Sequence, residues 1–248
     1  MAQRAPVTGP TRRADAGERE RRQDRILAAA LDEFASRGFD GTTTAGVARR
    51  AGVTQSLVHY HFATKDQLWR AAVTTVLADM QGSFTGSYGE LADLDPLARL
   101  KVLVRRFVNF SAAYPEFGRI LSYEGAVGGA RLEWLLDQDA ARQLAGFAAL
   151  LEQGVAEGWV KPLPLAHVTT CLGAACAYAF IAHETMRRVY GVDVSDPEVV
   201  DAHADTVVEL FFHGLVVPQR EAGPNAVTIG PATTAGSSRR QLGEARSA

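Results

Sequence analysis

Apolar positions recur at helical spacing almost from the start of the chain. Between Glu18 and Arg37, Ile26, Leu27, Ala30, Leu31 and Phe34 fall three to four residues apart, and Gly38 ends the run. Thr44 is placed to cap a second, short helix reaching Ala51, and Gly52 suits the turn after it, since positive φ costs glycine little. Thr54 is placed to cap a third. Thr64-Lys65-Asp66-Gln67 spells a capping box and opens a longer helix that fades between Gly82 and Gly89. Asp95-Pro96 starts the next, which Pro115 breaks after Tyr114. Further helices are predicted from Pro115 to about Glu124, Arg131 to Glu157, Leu165 to Tyr190 and Asp196 to Val216, the last opened by Ser195 and Glu198. No segment alternates as a strand does. The expected fold class is all-α, with about nine helices.

The first three helices form one small unit, and the fourth ties it to the rest. The expected division is residues 18–63 and 64–217, between polar tails at 1–17 and 218–248 that are too poor in apolar residues to fold.

Two short helices across a glycine turn, followed by a capped third element, make the frame of a DNA-binding helix-turn-helix. At about 100° per residue, Val58 and Phe62 share one face of the third helix and should pack on Ile26, Leu31, Phe34 and Val47. Ser56 and Tyr60 fall opposite, with Leu57 and His59 on the flanks. Gln55 and Ser56 sit at the end that enters the major groove. Gln can pair bidentately with adenine, and Leu57 can touch a thymine methyl. His59, Tyr60 and Lys65 can reach phosphates, and Thr43 and Thr44 stand where helix N-termini offer N–H groups to the same backbone. A three-helix unit with a merely polar outer face would share the frame. An exposed helix offering Gln, Ser, Leu, His and Tyr without an acid is less usual.

Charge agrees with a polyanionic partner. The net charge is −2, yet residues 1–70 hold twelve Lys/Arg against eight Asp/Glu, leaving fourteen against twenty for the remainder. A basic end on an acidic body suits DNA docking at that end. Other classes fare worse. No apolar run approaches a membrane span, and the N-terminus lacks the apolar core of a secretory signal. Cys171 and Cys176, five apart in one helix, are poorly spaced for a bridge, so a reducing cytoplasmic setting is expected. His59 and His61, two apart on a helix, diverge rather than chelate, and no nucleophile, phosphate-loop or paired-cysteine motif occurs. Neither catalysis nor a cofactor is expected. A protein-binding helical module remains the rival reading, separable by DNA affinity.

The stretch TTTAGVARRAGVTQSLVHYHFATKDQLW resembles the signature of TetR-like transcriptional regulators. The resemblance runs through the threonine-rich entry at Thr42 to Thr44, the turn at Ala48 to Val53, the cluster His59 to Phe62, and Thr64-Lys65. Arg25-Ile26-Leu27, Ala30, Phe34 and Gly38-Phe39 of the preceding helix fit as well. His59 departs from the family, which usually has Tyr there. The resemblance implies a twofold dimer on a palindromic operator, a divergent C-terminal helical bundle, and a small-molecule effector. It also implies a dimer interface from the last two long helices, through Gly173, Ala177, Val207 and Phe211. Helical spacing offers Phe107, Phe110, Trp134, Phe147, Tyr178 and Phe180 as walls of an effector pocket, with Arg119, Tyr123, Glu124, His167, His183 and Glu184 as polar anchors. The same aromatics would serve equally as core. Repression and activation are indistinguishable at this level.

Overall fold

In the computed structural model, which describes residues 11–91 and 93–215, the chain folds into eleven helices without a strand among the described residues. These are α1 (Thr11–Gly41), α2 (Thr44–Ala51), α3 (Gln55–His61), α4 (Lys65–Glu90), α5 (Pro96–Ala113), α6 (Pro115–Val127), α7 (Ala130–Leu136), α8 (Asp139–Ala156), α9 (Leu165–Ile181), α10 (His183–Tyr190) and α11 (Pro197–Leu215). Residues 1–10 of the tail expected at 1–17, and the whole tail expected at 218–248, lie outside the described residues.

Four differences from the sequence reading have local causes. Helix α1 begins at Thr11, within the segment expected to be disordered, because Arg, Ala and Glu are good helix formers even without an apolar stripe. Helix α4 runs through Gly82, since Trp69, Val73, Val76, Leu77, Met80 and Phe84 keep one stripe buried across it. Burial of these side chains outweighs the roughly 1 kcal/mol that an internal glycine costs. The long helix expected from Arg131 to Glu157 divides at Asp137-Gln138, where the Gln138 amide turns back to donate to Trp134 O at 2.8 Å. The one expected from Leu165 to Tyr190 breaks at Ala182 (φ −96°, ψ 30°), and α9 and α10 diverge by 70°. The two divisions turn about nine helices into eleven.

Helix α1 packs on α2, α4 and α6, while α5 packs on α9 and α11. Ile26, Phe34, Val47, Val58 and Phe62 form the core of the first three helices. That core is continuous with the bundle through Leu68, Trp69 and Ile120. Gly38 (φ 68°) lies in the left-handed region and lets the last turn of α1 swing aside before α2. No single described helix is long and apolar enough to cross a membrane.

Candidate nucleic-acid interface and effector cavity

Capping builds the helix-turn-helix from within. Thr43 is extended (φ −122°, ψ 148°), and its hydroxyl accepts the Gly46 N–H at 3.0 Å, so Thr43 rather than Thr44 caps α2. Gly52 closes α2 in the left-handed conformation, φ 65°. Thr54 precedes α3, but its hydroxyl meets Ser56 Oγ at 3.0 Å rather than a backbone N–H. Thr64 accepts the Gln67 N–H, and Gln67 Oε1 in turn accepts the Ala63 N–H, both at 3.1 Å. The forward half of the expected capping box is therefore made, while its return bond is shifted by one residue, to Ala63 instead of Thr64.

The two faces of α3 separate as the periodicity demands. Val58 is fully buried and Phe62 joins it in the core, while Gln55, Ser56, His59 and Tyr60 are exposed, Tyr60 by 66%. Leu57 is half-buried against the core, so only part of it is free to meet a base. Gln55 Nε2 lies 3.1 Å from Thr44 Oγ1 and 3.3 Å from His59 Nε2, and the Thr44 hydroxyl is also 3.3 Å from that nitrogen. An accepting His59 Nε2 has one lone pair, so the Gln55 amide and the Thr44 hydroxyl compete for it. Thr44, Gln55 and His59 thus form one polar surface across α2 and α3. The Tyr60 hydroxyl accepts from Arg19, whose guanidinium lies 5.2 Å from the ring centre. His61 turns edge-on to Tyr60 instead of converging with His59.

Lys65 is placed differently from the expectation. Its ammonium donates to the carbonyls of Phe39 (2.9 Å), Thr42 (3.2 Å) and Asp40 (3.5 Å) and sits 4.5 Å from the Phe39 ring centre. Helix α1 ends there with its carbonyls pointing outward, and a cation at a helix C-terminus is held by those dipoles. Lys65 holds α4 to the end of α1, with its three donors engaged, rather than reaching outward for phosphate.

Residues outside the expected site orient α2. Glu33 is buried; it takes Arg50 Nε at 3.1 Å on one oxygen and Arg37 Nε at 3.0 Å on the other. The bond to Glu33 is the largest influence raising the Arg50 pKa above its ordinary value. The hydroxyl of buried Thr42 lies 2.8 Å from Gly38 O and 3.0 Å from Glu33 O, its one proton shared between the two carbonyls. A Cβ at Gly46 would stand 3.2 Å from the Glu33 carboxylate, so glycine permits this approach of α2 to α1. The available signal was phase: Glu33 continues the stripe of Ile26 and Ala30.

Within the bundle a cavity of about 750 Å³ is walled by α4 through Leu77, Met80 and Phe84, by α5 through Phe107 and Phe110, by Phe147 of α8, and by Cys176 and Tyr178 of α9. Its polar groups are hydroxyls, among them Ser111, Tyr114 and Thr169, and no charged side chain lines it among the described residues. Burial pushes the Cys176 thiol up to about 12, so it is present as the neutral thiol. Tyr114 bridges this wall to α4, its hydroxyl donating to Asp79.

Of the pocket candidates, Phe107, Phe110, Phe147 and Tyr178 line this cavity, and the others lie away from it. Trp134 packs edge-on to Trp69 (5.4 Å between centres), with Arg70 over its ring, away from the cavity. Phe180 is buried against His203. His183 begins α10 beyond the break at Ala182 and is exposed, as is His167. Glu184 pairs with Arg187 and Arg188. Helix α6 is two-faced: Phe117, Gly118 and Leu121 meet the cavity, whereas Arg119, Tyr123 and Glu124 face the end of α1.

The interface candidates also move. Gly173 and Ala177 line the cavity, Val207 is buried inside the protomer, and Phe211 is half-buried against its core. The exposed stripe of α9 is His167, Cys171, Ala174 and Tyr178, of which Ala174 and Tyr178 also stand at the cavity. On neighbouring α11 the exposed apolar residue is Leu210, at 68%.

Comparison with known proteins agrees with this geometry. Residues 26–72 match the family described as bacterial regulatory proteins, tetR family, and residues 96–211 match the tetracyclin repressor-like C-terminal domain. The chain is 26% identical over 190 residues to the HTH-type transcriptional regulator RutR of Escherichia coli, covering 77% of this chain and 88% of RutR. It is 25% identical over 205 residues to the HTH-type transcriptional repressor NicS of Pseudomonas putida, covering 81% of this chain and 95% of NicS. Its fold is similar to that of the ketosteroid transcriptional regulator KstR2 of Mycobacterium tuberculosis, with TM-score 0.62 and 20% identity over 79% of this chain and 96% of that one. With matches to both its DNA-binding and its C-terminal region, the chain belongs to the tetR family of bacterial regulatory proteins: it is a DNA-binding transcriptional regulator and not an enzyme.

Proposed function

We propose that the protein is a cytoplasmic repressor that binds a palindromic operator as a homodimer and leaves it when an uncharged, largely apolar small molecule fills the bundle cavity. Residues 18–63 supply DNA contact, and residues 64–217 supply effector binding and dimerisation. The observation that carries this reading is the cavity itself, about 750 Å³, without a charged lining residue among those described, and walled in part by α4. The same helix clasps the end of α1 through Lys65. A ligand that prefers the conformation unable to bind DNA draws the population towards it, and DNA must weaken ligand binding by the same factor. The exposed stripes of α9 and α11 support dimerisation through a four-helix contact, in which Tyr178 and Leu210 are the large apolar groups available. Repression rather than activation is supported by likeness to NicS, a repressor by name.

The test pairs operator retardation with a panel of neutral apolar compounds. Some should bind and release DNA together, with coupling of about 1–3 kcal/mol. Gly173→Phe, which places a ring in the cavity, should bind the operator yet resist release. Compounds that bind wild-type protein tightly while leaving operator affinity unchanged would refute the regulatory role of the cavity.

A further inference from the structure

A second, smaller pocket lies on the opposite side of α6, against the last turns of α1. It encloses about 210 Å³ and shares no lining residue with the large cavity. Phe34, Trp69 and Glu124 form its buried floor, and the exposed residues Ser36, Arg37 and Tyr123 its mouth.

Glu124 is 1% exposed. One of its oxygens accepts Arg131 Nε at 2.8 Å; the other, Oε2, is buried and has no hydrogen-bond donor. A carboxylate oxygen out of water and without a donor is costly, and such atoms are rare in folded proteins. The neighbouring cations are engaged elsewhere. Arg37 pairs with Glu33 at 3.0 Å, Arg119 with Glu116 at 3.1 Å, and Arg131, besides holding Glu124, lies 4.1 Å from the Phe39 ring centre. The unmet requirement in this pocket is therefore for a donor.

We propose that this pocket is a second small-molecule site, taking a small organic cation with a flat body, an amidinium or a primary ammonium, whose N–H group meets Glu124 Oε2. A charge-assisted bond is the strongest complement to a buried carboxylate. Phe34, Trp69 and Tyr123 line the pocket, and a cation gains further attraction where it meets the face of such a ring. Size agrees: a cavity of about 150 Å³ accepts benzene, so this one takes a ring together with one charged group. The preference for a cation also sets this site apart from the large cavity, whose described lining is uncharged.

Benzamidine and benzylamine are suitable probes, with benzyl alcohol as the neutral control, titrated into the full-length protein by calorimetry and by tryptophan fluorescence. Both cations should saturate at one per chain with Kd near 1 mM or tighter, and benzyl alcohol about tenfold more weakly or not at all. Glu124→Gln, which replaces the free oxygen by an amide, should weaken both cations at least tenfold. Ala35→Leu fills the pocket and leaves the Glu124–Arg131 pair intact, so it should abolish binding even if Glu124→Gln folds poorly. Absence of saturable binding to wild-type protein would overturn the proposal. So would cation binding that Ala35→Leu leaves unchanged, since that places the probe elsewhere.

Discussion

The side-chain amide of Gln55 donates to the hydroxyl of Thr44 at 3.1 Å, joining the first turn of α3 to the first turn of α2. The bond positions the side chain before any base arrives and leaves the amide oxygen free to accept, and bidentate pairing with adenine requires one N–H to be released from Thr44 or His59. Gln55→Ala should cost about 1–3 kcal/mol on the preferred operator and relax preference at a single position. Competition binding against operators varied base by base measures this. Equal loss on every sequence would show that Gln55 reads no base.

Lys65→Ala should act on the fold more than on the DNA contact. Hydrogen bonds to a charged group contribute about 1.5–3 kcal/mol each at most, and partial exposure of this ammonium reduces that figure. A total loss of about 1–2 kcal/mol is expected in denaturant unfolding. The salt dependence of operator binding should change by well under one unit of slope. A change of about one unit would return Lys65 to the phosphate backbone.

Leu210→Asp and Val207→Asp should separate assembly from folding, although the two residues lie three apart on α11. Leu210 is exposed and Val207 buried. The first should yield a folded monomer in sedimentation, with weakened operator binding. The second buries an unpaired charge and should destabilise the protomer by about 3 kcal/mol or more. A Leu210→Asp protein that remains dimeric would place the interface elsewhere.

The Asp79 carboxylate, bonded to the Tyr114 hydroxyl, pushes that phenol up to about 12, with burial adding to the rise. A folded-state pKa raised above its unfolded value stabilises the fold while the group stays protonated. The contribution is therefore complete below pH about 10 and is lost as pH rises through about 12. Phenolate absorbance should show one late-titrating tyrosine in wild-type protein. In Asp79→Asn it should titrate earlier, and the alkaline loss of stability assigned to this pair should shrink.

The helix-turn-helix was legible because its signals are local. The left-handed Gly52, the Thr64 cap and the opposed faces of α3 each act within a few residues, whereas the cap of α2 falls on Thr43, one residue before the expected Thr44, and Thr54 makes no side-chain cap. The bundle was less legible because periodicity says which residues share a face, not what that face meets. Tyr123 and Phe117 are both plausible pocket residues on α6, yet one faces α1 and the other the cavity. The small residues of α9 suit close helix packing in sequence, but Gly173 and Ala177 leave room for a cavity instead. Lys65 was assigned to phosphate because nothing near it in sequence reveals the carbonyls of Phe39 and Thr42, more than twenty residues earlier, that engage it.

Helix α4 continues without interruption from Lys65, at the DNA-binding end, past Met80, at the cavity wall. At ~1.5 Å per residue those two positions are about 22 Å apart. A rotation of about 5° at the cavity end, small enough for side chains to absorb, would carry the other end about 2 Å. In a twofold dimer the displacements add, so the separation of the two α3 helices would change by about 4 Å, more than the ~3.4 Å step between base pairs. A bound molecule need not distort either reading head; putting the pair out of step with the helical repeat of DNA is sufficient.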